Sequence, residues 1–324
     1  MRIALSTNWN VKRHQAGEAL VDEILALGFD ALELGYHTTE ELAAGVRRRV
    51  DAGAVKVDSV HAYCPVPIGA PHGYPELYLL ASLDEDERAM ASIMIGRTLE
   101  FAASMGARAV VLHAGRVFLH SLFGDLGSRR LVEEAAATEE AADAPRYRRL
   151  LDKALRRRAG RVRKYFDGFC LSLDALLPKF EKAGVALCLE NLPSIEAFPD
   201  ARELVMLKQR FDTPSLAYWH DMGHGQVREY LGWGGHVEEA RALLAFTRGT
   251  HIHDAQPLTD DHLPPGQGQI DFAAFAFYAS DQVLKVFEPA PQVTRAELEA
   301  SLRVVRQAWG GPPPATSASG KPPA

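Results

Sequence analysis

Short apolar runs rich in Val, Ile and Leu alternate along the chain with longer segments whose apolar residues return every three or four positions. The first pattern is that of a strand and the second that of a helix with one apolar face, so the alternation predicts repeated βα units. Strands are predicted at Arg2–Ser6, Ala31–Leu34, Val55–His61, Ala109–His113, Val185–Glu190, Leu216–Asp221, Thr250–His253 and Val283–Glu288. Eight is the number a closed (β/α)8 TIM barrel needs. Among the helices, one carries Leu20, Ile24 and Leu27 on one face and stops at Gly28. Another, Glu85–Met105, brings Met90, Met94, Phe101 and Met105 near one face, a stripe that reads as core packing because Met fills irregular gaps.

Two stretches break the regular spacing. Residues 116–184, between the fourth and fifth strands, are too many for one βα loop and predict a helical insertion. Its first part, LVEEAAATEEAADAP, is acidic and alanine-rich, and the RYRRLLDKALRRRAGRVRK that follows is basic with helical spacing. A pair of solvated faces of opposite charge, or a lid or phosphate-attracting wall over the site, would each fit. The barrel is expected over residues 1–310. Residues 311–324, within GGPPPATSASGKPPA, lack any apolar period and predict a disordered tail.

With 324 residues, 47% hydrophobic and 24% charged, the chain can bury a large core. Its net charge of −6 and isoelectric point near 6.1 make the average surface a poor match for a polyanion, which weighs against nucleic acid as partner. Only Cys64, Cys170 and Cys188 are present, too few and too scattered for a disulfide framework or a cysteine zinc site, and a reducing cytoplasm fits best. The opening MRIALSTNWN lacks the apolar stretch of a signal peptide, and no run approaches the roughly 20 residues of a membrane span. An exposed apolar helix face would mark a homo-oligomer.

The chemistry lies at the strand ends. His61 closes the third predicted strand, His113 the fourth, Glu190 the fifth, Asp221 the sixth, His251 the seventh and Glu288 the eighth. In a parallel barrel these ends share one rim, the rim that carries active sites. A charged side chain at the end of an apolar strand is costly to desolvate unless it is paired or holds a cation. Glu190, Asp221, His251 and Glu288 form a mixed carboxylate and imidazole set suited to one divalent ion, Mn, Mg, Co or Zn, with positions left for substrate or water. His224 follows Asp221 by three residues in DMGHG, and TDDHLPPGQGQID adds Asp260 and His262 in a loop. Arg116, past the fourth strand, is either a phosphate contact or a salt-bridge partner. Trp9, Tyr36, Trp219 and Trp233 offer a stacking surface for a sugar or simply pack.

Taken together, GFDALELG, ENLPS, WHDMGH, HIHDAQ with the trailing GQGQID, and the late Glu288 resemble the xylose isomerase-like TIM-barrel superfamily, over Arg2 to about Gly310. Its members include sugar phosphate isomerases and epimerases and endonuclease IV. The resemblance implies a metal centre at Glu190, Asp221, His251 and Glu288, with His224 near the substrate. In the isomerase and epimerase members the metal holds adjacent oxygens of an open-chain sugar, and two glutamates, here Glu190 and Glu288, flank the carbon that loses its proton. The implied reaction passes through a metal-stabilised enediolate.

The chain also resembles endonuclease IV at His61, His113, Glu190, Asp221, His224, His251, Asp260, His262 and Glu288, which implies three zinc ions acting on abasic DNA. Against that reading stand the acidic balance, the long insertion, and a start, STNWN, unlike the GxHxS form of such enzymes. The expectation is a metal-dependent sugar or sugar phosphate isomerase or epimerase acting on a small sugar or polyol. The alternatives are an endonuclease IV-like zinc phosphodiesterase or a lyase or dehydratase on a cyclitol or keto-sugar.

Overall fold

The computed structural model describes residues 1–119, 127–137, 141–259 and 262–310. The expected tail, residues 311–324, and Asp260 lie outside them. Eight parallel strands close into a barrel: β1 (Ala4–Ser6), β2 (Ala31–Leu34), β3 (Lys56–His61), β4 (Ala109–Leu112), β5 (Ala186–Glu190), β6 (Leu216–Asp221), β7 (Thr247–Ile252) and β8 (Leu284–Phe287). They pair in sequence order around the ring, with β8 closing on β1 through Ala4↔Val286 and Leu5↔Phe287. The eight predicted strands are therefore all present. The seventh begins earlier than predicted, at Thr247, and ends at Ile252, so His253 falls just beyond it.

The barrel interior is lined mostly by small side chains. Ala4, Ala31, Ala109, Ala186 and Ala217 face inward with Val111, Cys188, Leu284 and Val286, and one large ring, Trp219, fills the centre. Gly249 on the neighbouring strand makes that ring fit, for a Cβ there would lie 2.2 Å from it. Trp219 is completely buried, and Trp233 packs against the core with its indole N–H donated to the Tyr147 hydroxyl at 3.0 Å. Trp219 therefore offers no sugar-stacking surface.

The helices cover the outside. In α1 (Gly17–Leu25), Leu20 and Ile24 are buried as the periodicity predicts. α2 (Glu40–Asp51) packs beside it, and Thr39 caps it by accepting from the Leu42 N–H. Of the expected methionine stripe of α3 (Glu85–Ser104), Met105, just past the helix, is buried and Met94 and Phe101 pack against the core, but Met90 does not. Met90 is 40% exposed, while Ala91, Ile95, Thr98, Leu99 and Ala102 lie inward. The segment is apolar around most of its circumference, and the small residues are the ones that let it approach the barrel.

Between β4 and β5 come α4 (Ser128–Ala136), α5 (Pro145–Ala159) and α6 (Val162–Ala183), the last packed on α3. The basic run on α5 is not wholly solvated. Arg158 is buried and forked onto the carboxylate of Glu203 at 2.6 and 2.7 Å, which ties α5 to α7 (Ala201–Arg210). The Tyr147 hydroxyl donates to the Leu231 carbonyl, after α8 (Met222–Tyr230). Both bonds seat α5 against the barrel's flank. The remaining helices are α9 (His236–Leu243) and α10 (Arg295–Gly310). The three cysteines are buried and unbridged. Among the described residues no helix is long and apolar enough to cross a membrane.

Candidate metal centre

Because every barrel strand is parallel, the carboxyl ends of β2 to β8 bring their last side chains to one rim. Glu190 and Asp221 are the final residues of β5 and β6, His251 is the penultimate residue of β7, and Glu288 follows β8 directly. All four are buried, and each offers one ligand atom within 4.8 Å of the others. His251 sits at the middle. Its Nδ1 lies 2.9 Å from Glu190 Oε1, 3.1 Å from Glu288 Oε2 and 3.6 Å from Asp221 Oδ2. One ring nitrogen carries at most one proton, so it cannot serve three carboxylates as a hydrogen-bond donor. The donor set suits a divalent cation, which can be shared among several oxygens and one nitrogen.

A second set adjoins the first. His61 and His113, with Glu190, also bring one ligand atom each within 4.8 Å of the others. His61 Nε2 is 3.2 Å and His113 Nε2 3.1 Å from Glu190 Oε2. The Nδ1 of His61 faces the Ala62 carbonyl at 3.0 Å and must donate to it. In the neutral ring the Nε2 lone pair then points at a carboxylate, an arrangement that needs a second proton or a cation.

Several neighbours orient these groups, and sequence reasoning missed four of them. Glu33, fully buried on β2, accepts from His251 Nε2 at 3.0 Å and from the Ser59 hydroxyl at 2.7 Å. His253 Nε2 lies 3.0 Å from both oxygens of Asp221. Asn8 donates to Glu288 Oε1 at 3.1 Å. Glu76 faces His113 Nδ1 at 3.9 Å. Glu33 carries the same signal that exposed the other strand ends, a carboxylate inside the apolar run ALEL. His253 was legible too, being two residues from His251 and so on the same side of an extended chain.

The remaining expected residues take distinct places. Asp221 accepts from the His224 N–H at 2.7 Å and so caps α8, while His224 Nδ1 meets the Asn191 carbonyl at 2.8 Å. His262 Nδ1 meets the Glu288 carbonyl at 2.9 Å, and its ring stacks on His253 with centroids 4.0 Å apart. Asp254 accepts from the backbone N–H groups of Ala255, Gly266 and Ile270, which ties down both ends of the loop that carries His262. Arg116 donates its Nε–H to Glu76, 2.9 and 3.0 Å from the two oxygens.

Charge follows the geometry. Burial drives the Glu190 carboxyl upward, but the imidazoles of His251 and His113 outweigh it and hold the group well below the usual carboxylate range. Asp221 is likewise held low, against burial, by His224 and His253. Burial would drive the proton off His251, yet Glu288, Glu33 and Glu190 raise its pKa well above the ordinary histidine value. Glu190, Asp221 and His251 are thus each held charged against burial by their neighbours, in the place where a metal cation would supply positive charge.

A family model described as xylose isomerase-like TIM barrel matches residues 21–283. The chain belongs to that family. No curated protein sequence matches it. Solved structures of the same fold include a D-tagatose 3-epimerase-like protein, 18% identical over 96% of this chain and 97% of that one, with a TM-score of 0.67. Others are the 3-keto-D-glucoside 4-epimerase of E. coli (17%, 95% and 99%, 0.65) and the D-psicose 3-epimerase of Clostridium cellulolyticum H10 (14%, 95% and 99%, 0.64). Identity this low shows a common fold. As a xylose isomerase-like barrel, the chain carries its buried carboxylates and histidines on the rim where such barrels do their chemistry.

Proposed function

We propose that this protein is a metal-dependent isomerase or epimerase of a sugar or sugar phosphate, with Glu190 and Glu288 as its proton-transfer groups. The observation that carries the reading is the position of His251 Nδ1, 2.9 Å from Glu190 and 3.1 Å from Glu288, which sets the two glutamates on either side of one centre. A divalent ion held by Glu190, Asp221, His251 and Glu288 would bind neighbouring oxygens of an open-chain sugar and offset negative charge as it develops.

The chain's own residues do the rest. One glutamate takes the proton beside the substrate carbonyl on a carboxylate oxygen, and the other returns a proton from the opposite side. Return to the same carbon epimerises it, and return to the neighbouring carbon isomerises aldose and ketose. Asn8 fixes the Glu288 carboxylate, while His61 and His113 fix Glu190, so neither has to reorganise during transfer. Turnover of a ketose or its phosphate in D2O tests the reading: deuterium enters the product at the reacting carbon if a carboxylate exchanges the proton. A product free of deuterium across the ketoses and their phosphates would overturn it.

A second reading, an endonuclease IV-like zinc phosphodiesterase, draws support from the His61, His113 and Glu190 set. Metal content of the purified protein separates the two. About one ion per chain favours the isomerase or epimerase, and close to three zinc ions favours the phosphodiesterase, with abasic DNA as the substrate to try. A lyase or dehydratase on a cyclitol or keto-sugar would share the one-ion result and release water or a cleaved product instead.

A further inference from the structure

At the opposite, amino-terminal mouth of the barrel lies a cavity of about 240 Å³ lined by Arg2, Asp58, Arg108, Asp281 and Lys285 among others. Asp58 on β3 accepts from both guanidinium groups: Arg2 donates Nε–H at 3.2 Å and a second N–H, and Arg108 donates at 3.0 Å. Lys285, on β8, is 97% buried, with a relative exposure of 3%. Its ammonium donates to the Ser280 and Val283 carbonyls, both at 2.6 Å. Those two acceptors are neutral and use two of its three protons. Among the described residues Lys285 forms no ion pair, and Asp281 is exposed at the rim. A structural clamp would need only Arg2, Asp58 and Arg108. It would not need an ammonium buried beside two guanidiniums without a carboxylate of its own, an arrangement that is costly unless an anion comes to it.

We propose that this cavity is a binding site for a tetrahedral oxyanion, phosphate or a small phosphate monoester, held by Lys285, Arg108 and Arg2. Three cations against the carboxylates of Asp58 and Asp281 leave a net positive pocket. Its volume is about that of eight waters, room for more than a bare anion. Burial draws the Lys285 ammonium down to about 8, with Asp281 and Asp58 pulling it up and Arg108 and Arg2 pushing it down. The site is remote from the metal centre and independent of the reaction proposed there.

Calorimetric titration of the whole protein with inorganic phosphate, and in parallel with glycerol phosphate, tests the assignment. The wild type is expected to take up one anion per chain at this site. Lys285→Met and Arg108→Gln should each weaken binding tenfold or more, while Glu190→Gln, at the other end of the barrel, leaves it unchanged. Tighter binding of one titrant names the source, bare phosphate or monoester. Arg108 is 43% exposed, so its variant carries the test even if Lys285→Met fails to fold. No binding by the wild type, or wild-type affinity in the Arg108 variant, would overturn the proposal.

Discussion

Gly223 leaves open the space that the His253 ring occupies: a Cβ on Gly223 would lie 1.9 Å from His253 Cε1. The glycine of DMGHG is therefore tied to the histidine that ends THIH, and through it to Asp221, whose two oxygens His253 meets at 3.0 Å.

Gly223→Ala should push the His253 ring away from Asp221. Overfilling a packed site costs about 1–3 kcal/mol, and loss of an outer-shell partner lowers metal affinity about 10–100-fold. Chemical denaturation and a metal titration followed by calorimetry would measure both. Wild-type affinity in this variant would mean that His253 does not orient Asp221.

Glu33→Gln keeps the size of the side chain but removes the charge that receives the His251 Nε2–H. The expected result is a metal affinity lower by about 10–100-fold with near-wild-type circular dichroism. An unchanged affinity would leave Glu33 a role in packing alone.

Glu190→Gln and Glu288→Gln each remove a proton-transfer group from the proposed mechanism. Turnover should fall by at least about 10²–10⁴. If the two act on opposite sides of the substrate, one variant can still wash deuterium into unreacted substrate without forming product. Substantial product formation by either variant would refute its assigned role.

If the proposed metal binds at this centre, protons compete with it. The folded-state pKa of His251 is raised against burial by Glu288, Glu33 and Glu190, and that of His61 against burial chiefly by Glu190. For a group raised on folding, the stabilisation is complete below its unfolded pKa and is lost as pH climbs through the folded value. The metal-free protein should therefore lose stability as pH rises above the ordinary histidine range. Metal should restore it, binding with release of protons and with an apparent affinity that increases with pH. Melting curves with and without metal across that range would check both signs, and a metal-free protein that grows more stable with pH would contradict the first.

Much of this was legible in the sequence. Strand number and order followed from apolar periodicity, since a strand covered on both faces shows up as an apolar run whatever its neighbours are. The members of the two clusters that could hold a metal, His61, His113, Glu190, Asp221, His251 and Glu288, stood out because a charge at the end of such a run needs a partner. Where helices were involved the reading was weaker. In α3 apolar residues surround the axis, so the pattern named Met90 where packing chose Ala91.

The sequence by itself determined the barrel and which side chains its rim would carry, because burial and charge cost are local properties of each segment. Tertiary structure alone decided which nitrogen faces which oxygen. That Glu33 reaches His251 across the barrel, that His253 rather than His251 grips both oxygens of Asp221, and that Lys285 ends in a cavity beside two guanidinium groups depend on strand tilt, closure and register. Those quantities are set by how eight distant segments pack on one another, and no single segment records them.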